Sequence, residues 1–199
     1  MLRKTSLAIW VGLSFSALAS AQEGFRQHDA HVHGQVEFNI AQDGHDLLLE
    51  ITAPGADVVG FEHAPENTEQ ENQLKAAVEK LSQADLMVQI NEAAKCTIEN
   101  VSVTHTLGGE EHDDHEHHDD HEHHDDHEHH DDHGHEHDGH GAFTVEYQYH
   151  CGNVAALNAL ETDWFKQFPA TQAIQANVLT DKVQSALALS PAHNTVSLK

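Results

Sequence analysis

Basic side chains are scarce in this chain: 9 Lys and Arg stand against 34 Asp and Glu, a formal net charge of -25 with histidine neutral. Such a charge repels nucleic acid and anionic lipid surfaces and makes cations the natural partners. Sulfur is nearly absent as well, with two Met and two Cys in 199 residues, which argues against a copper(I) specialist built on soft donors. No apolar run reaches the roughly 20 residues that a membrane-spanning helix needs. The chain is too short for a typical (β/α)8 barrel, and neither a His-Glu-x-x-His helix nor a Gly-x-Ser-x-Gly elbow occurs in it. A metal-dependent hydrolase is left with little support beyond the His-x-His pair at His31 and His33.

The short apolar run that does exist lies at the N-terminus. Arg3 and Lys4 precede Leu7 to Ala19, and Ala19-Ser20-Ala21 offers the small residues that signal peptidase requires. The expectation is a signal peptide over residues 1–21, cleaved after Ala21, leaving an exported chain of residues 22–199 with no membrane insertion. In an oxidising compartment the isolated pair Cys96 and Cys151 reads as a disulfide, worth about 4 kcal/mol in the chain-entropy model.

Periodicity organises the rest. Residues 31 to 41 put Val32, Gly34, Val36, Phe38 and Ile40 on one face and His31, His33, Gln35, Glu37 and Asn39 on the other, which predicts a strand. Asp43-Gly44 suits a tight hairpin turn into Leu47, Leu49 and Ile51. Pro54 to Pro65 reads as irregular, and Asn67 caps a helix running to about Ala84. Strands follow at Leu86 to Ile90, Thr97 to His105 and Phe143 to Tyr149, then a helix over Asn153 to Phe168 stopped by Pro169, then strands at Ile174 to Leu179 and Val183 to Leu189. The fold expected is α+β: a single domain with a mostly antiparallel sheet and two or so helices.

Histidine is the residue in excess, with 22 copies, and most lie in one insert. Asp113-Asp114-His115-Glu116-His117-His118 recurs unchanged at 119–124 and 125–130, then decays towards His140. Residues 110–141 hold 14 histidines and 15 acids with no basic or large apolar side chain, so nothing there can bury a core and the insert is expected to be disordered without ligand. Neutral imidazole suits zinc, and donors recurring every two or three residues can wrap several ions. The candidate ligands are His112, His115, His117, His118, His121, His123, His124, His127, His129, His130, His133, His135, His137 and His140.

A second candidate site lies outside the insert. His31 and His33, two apart on the expected strand, project from one face about 6.6 Å apart. Glu62-His63, with Asp57 nearby in sequence, offers further donors. His105 and His150 flank the insert, and His28 and His193 lie near the ends of the mature chain.

These motifs occur in an order that resembles a known family: His31-Val32-His33-Gly34, then Gly60-Phe61-Glu62-His63-Ala64-Pro65, an acidic histidine insert between two cysteines, and Trp164-Phe165-Lys166-Gln167-Phe168-Pro169. The chain is similar to the ZrgA-like zinc-uptake proteins of Gram-negative bacteria. That resemblance implies a periplasmic protein, not an enzyme, with zinc as its ion and an ordered zinc site drawing on His31, His33 and His63. It also implies a zinc import system as partner. A buffer or detoxifying store for zinc, nickel or copper is the alternative within the same chemistry.

Overall fold

In a computed structural model of the chain, residues 32–108 and 140–199 are described. The expected signal peptide, His28, His31 and the insert histidines from His112 to His137 lie outside them.

The first hairpin joins β1 (Gln35–Asp43) to β2 (Asp46–Pro54), with Asp43 opposite Asp46 across the Gly44-His45 turn. The strand expected from His31 starts only at Gln35, because His33 and Gly34 form a turn closed by the Gln35 N–H on the Val32 carbonyl, 3.0 Å. Val36, Phe38 and Ile40 on β1 and Leu47, Leu49 and Ile51 on β2 are buried, as their alternation requires.

The stretch expected to be irregular contains a helical turn, α1 (Gly55–Val58). Helix α2 (Thr68–Leu81) begins where Asn67 Oδ1 accepts the Gln70 N–H at 3.0 Å, and it ends three residues before the expected Ala84. A short turn of helix, α3 (Ala84–Met87), then shortens the next strand to β3 (Val88–Ile90) and leaves Leu86 exposed. Strands β4 (Cys96–His105) and β5 (Ala142–Cys151) match the expected pair flanking the insert.

The helix expected over Asn153 to Phe168 is not formed. Its residues make a 3-10 turn at Val154–Ala156, a strand β6 (Ala159–Thr162) and one helical turn α4 (Trp164–Gln167). Tertiary partners override local helical preference here. Asn91 Oδ1 accepts the backbone N–H groups of Asn158 and Ala159 at 2.9 and 3.2 Å, and the Thr162 hydroxyl donates to the Met87 carbonyl at 3.0 Å. Strands β7 (Ala173–Leu179) and β8 (Gln184–Leu189) fall where expected, and a three-residue strand β9 (Thr195–Ser197) is added.

The architecture is α+β. A six-stranded mixed sheet has the order β4-β5-β2-β1-β7-β8, antiparallel except for the parallel pair β1–β7, and a three-stranded sheet has the order β3-β6-β9. One face of the large sheet carries the core, with Phe38, Ile51, Val145 and Ile174 packed with Leu81, Met87, Leu160, Val196 and Trp164. Each such side chain contributes about 1.5–3 kcal/mol on burial. The opposite face is polar, with Asn39 donating to Glu50 at 3.2 Å and Asn177 to Glu37 at 3.0 Å.

Cys96 and Cys151 are bonded to each other as direct partners at one end of the β4–β5 ladder. Their Cα atoms are 3.8 Å apart, closer than the usual span of about 4.4–6.8 Å. The start of β1, the end of β2 and the start of β5 come together at the opposite end of the sheet, as the pairs Glu37 with Thr52 and Pro54 with Ala142 require.

Candidate metal centre

Three chain segments meet at that end, and each supplies one donor. The first is the turn before β1. Gly34 has φ +80°, a conformation that disfavours any side chain, and its neighbours hold it on both sides. Its N–H donates to Asp57 Oδ1 at 2.8 Å, and its carbonyl accepts the N–H groups of Gln172 and Ala173 at 2.8 and 3.0 Å. His33 is therefore fixed at its backbone.

The second and third segments are locked by close backbone approach. The Gly55 N–H donates to the Gly141 carbonyl at 2.7 Å and the Gly141 N–H to the Glu62 carbonyl at 2.8 Å. A Cβ at Gly55 would stand 2.5 Å from the Phe61 carbonyl, and one at Gly141 equally close, 2.5 Å, to that of Glu62. Glycine at both positions lets the start of β5 lie against the α1–α2 connection, which sets His140 beside Glu62.

His33 Nε2 lies 3.0 Å from Glu62 Oε1 and His140 Nδ1 lies 2.6 Å from Glu62 Oε2. The two imidazole rings are 6.2 Å apart at 78°. One ligand atom from each of the three residues falls within 4.8 Å of the others. The Glu62 side chain is 13% exposed, and despite the short His33 contact its Oε1 has no well-aligned hydrogen-bond donor. A buried carboxylate oxygen facing a ring nitrogen without a directed hydrogen bond suits a cation between them better than a proton. Burial pushes the Glu62 carboxyl up, but its contacts with His33 and His140 outweigh this and hold it below its ordinary value. With Asp57 also buried a few residues away, the surroundings favour a divalent cation. Two imidazoles and a carboxylate are a donor set that zinc accepts, leaving a fourth tetrahedral position open.

The expected ordered ligands are distributed differently. His33 is in the cluster, His31 is outside the described residues, and His63 turns away from its neighbour Glu62. The His63 Nδ1–H donates to the Ala64 carbonyl at 2.7 Å, and its ring lies 5.3 Å from that of Phe61. Asp57 is no donor to the cluster, since its second oxygen accepts the Thr171 hydroxyl at 2.9 Å. His140, read from sequence as one more insert histidine, is the insert histidine among the described residues, and it is tied to the fold through Glu62. Elsewhere His105 packs against Phe143, and His150 Nδ1 bonds Asp46 Oδ1 at 2.8 Å.

Residues 30–198 match the family model described as ZrgA family zinc uptake protein. The chain belongs to this family. The resemblance in its ordered motifs therefore holds over residues 30–198, and a zinc-related role follows for the ZrgA fold described above. No curated protein matches the chain. The residues that place Glu62 and His140 within the ZrgA fold, Gly55 and Gly141, carry no metal chemistry of their own. In the sequence they are two glycines 86 positions apart.

Proposed function

We propose that the protein is a periplasmic zinc-binding protein that captures zinc and supplies it to a zinc import system, performing no chemistry of its own. Residues 1–21 direct export and are removed after Ala21. Zinc is cargo, held at the ordered centre by His33, Glu62 and His140, while the histidines of the insert collect further ions. The observation that carries this reading is the convergence of two imidazoles on a largely shielded carboxylate in a member of a zinc uptake family. A centre with three protein ligands suits cargo because an incoming ligand from an acceptor can occupy the open position before the ion leaves.

Competitive zinc titration of residues 22–199 against chelators of graded strength tests it. The expected result is one tight site that disappears in His33→Ala and in His140→Ala, together with several weaker sites that remain. A tight site that survives both substitutions overturns the assignment. In cells, the protein rises under zinc starvation if it serves uptake; a rise under zinc excess instead favours a detoxifying store.

A further inference from the structure

The buried carboxylate of Asp57 touches none of the three donors, yet it is bonded to the backbone that carries one of them. Its Oδ1 accepts the Gly34 N–H at 2.8 Å, and Gly34 follows His33 directly. Its Oδ2 accepts the Thr171 hydroxyl at 2.9 Å, and Thr171 Oγ1 in turn accepts the indole N–H of Trp164 at 3.1 Å. Every member of this chain is buried: Asp57 is 5%, Thr171 2% and Trp164 0% exposed. Among the described residues no lysine or arginine pairs with Asp57.

A buried, unpaired carboxylate is costly, and it is retained where its hydrogen bonds hold something in place. Here it holds the turn that carries His33, because the backbone N–H it accepts is that of Gly34, where the chain reverses at φ +80°. We infer that Asp57 is a positioning residue of the zinc centre: it fixes Gly34 and through it the imidazole of His33, and it links that turn to Trp164 through Thr171. This rests on the reading of His33, Glu62 and His140 as the centre. The outer partners of metal ligands commonly act by orienting a ligand side chain; Asp57 does so through the backbone.

The link to Trp164 supplies a site-specific readout. Trp164 is the only tryptophan in residues 22–199, so its indole N–H gives one resonance that reports on Thr171 and Asp57. The experiment follows that resonance in the mature full-length chain while free zinc is set by metal buffers, so that ions held by the insert do not distort the titration. Its midpoint gives the affinity of the ordered centre, and competitive titration of the same samples confirms the midpoint. Thermal unfolding without metal is measured alongside.

In the unsubstituted protein zinc shifts the indole resonance. Asp57→Ala weakens zinc binding at the centre by about 10- to 100-fold, the range for lost outer partners of metal ligands. Asp57→Asn retains an acceptor for the Gly34 N–H and stays within about threefold of the original affinity. Thr171→Val keeps zinc binding but abolishes the zinc-induced indole shift. Two results overturn the proposal: Asp57→Ala binding zinc as tightly as the original while His33→Ala does not, or Asp57→Asn losing as much affinity as Asp57→Ala. Should Asp57→Ala fail to fold, Asp57→Asn and Thr171→Val still decide, because loss of zinc affinity in Asp57→Asn at unchanged metal-free stability contradicts the role of the Gly34 bond. If His33→Ala leaves the affinity unchanged, the reading of the centre fails and takes the inference about Asp57 with it, an outcome distinct from loss in His33→Ala without loss in Asp57→Ala, which removes the inference alone.

Discussion

Strand β5 has a histidine paired with a carboxylate at each end, roughly 30 Å apart, and only one of the two pairs is a candidate for holding a metal. Just before its start, His140 meets Glu62; near its finish, His150 meets Asp46 and lies 5.6 Å from the ring of His45. The distances are alike, 2.6 and 2.8 Å. Burial and convergence differ. The Glu62 side chain is 13% exposed and shared between two histidines, whereas that of Asp46 is 73% exposed. Both rings at the far end turn Nδ1 towards an oxygen, the His45 one to the Cys151 carbonyl at 2.9 Å. A histidine beside an acid is thus an ordinary surface pair until a third segment of chain shields the acid and adds a second nitrogen.

The sharpest test of this contrast concerns where the insert ends. The composition of residues 110–141 suggests removing all of them, but His140 is a donor and the Gly141 backbone bonds both Gly55 and Glu62. Deleting 110–139 is expected to leave one tight zinc site with fewer weak ones. Deleting 110–141 is expected to abolish the tight site, a loss on the order of 1,000-fold or more for a ligand and its support removed together. Equal affinity of the two deletions, measured by chelator competition, would place the tight site elsewhere.

At the other end of β5 the Cys96–Cys151 bond closes the β4–β5 ladder. Replacing both cysteines by serine is expected to cost about 4 kcal/mol of unfolding free energy in urea. Zinc affinity should stay within about threefold, because no donor lies at that end. A large loss of affinity would mean that the two ends are coupled through the sheet. Next in size, Glu62→Gln is expected to weaken zinc about 100-fold, as a charge-bearing ligand becomes a neutral one, while Asp46→Asn changes it less than twofold. Similar losses from the two would remove the distinction between the ends.

Much of this fold is legible in the sequence because burial writes itself into period two. Val36, Phe38 and Ile40, and Phe143, Val145, Tyr147 and Tyr149, announce their strands without ambiguity. The segment from Asn153 to Phe168 does not, since what makes Leu160 part of a strand is the side chain of Asn91 and the pairing with β3 and β9, all remote in sequence. The centre is half legible for the same reason. His33 stands out in a His-x-His pair and Glu62 beside His63, yet which of the last two faces inward depends on Gly141 bonding the Glu62 carbonyl. His140 is disguised by thirteen other histidines of the same run.

The smallest expected effect is one of acid on the metal-free protein, and it follows from the carboxylate that distinguishes the two ends. Contacts with His33 and His140 hold the Glu62 carboxyl below its unfolded value of 4.5, in spite of its burial. A depressed folded value means that the unfolded chain takes up the proton first as pH falls. The ionised carboxylate therefore stabilises the fold fully above pH 4.5, and this contribution is lost as pH drops through 4.5 and then through the lower folded value. Glu62→Gln should flatten that acid limb of the stability curve, while Asp46→Asn, at the exposed pair, should leave it unaltered. Urea unfolding of metal-free protein from pH 6 down to pH 3 measures both. Zinc must be absent, since bound metal stabilises the native state by mass action and would add its own proton competition to the slope. An acid limb that is unchanged in Glu62→Gln would mean that the histidine contacts do not hold the carboxylate ionised without metal, and that the apo centre is looser than its geometry indicates.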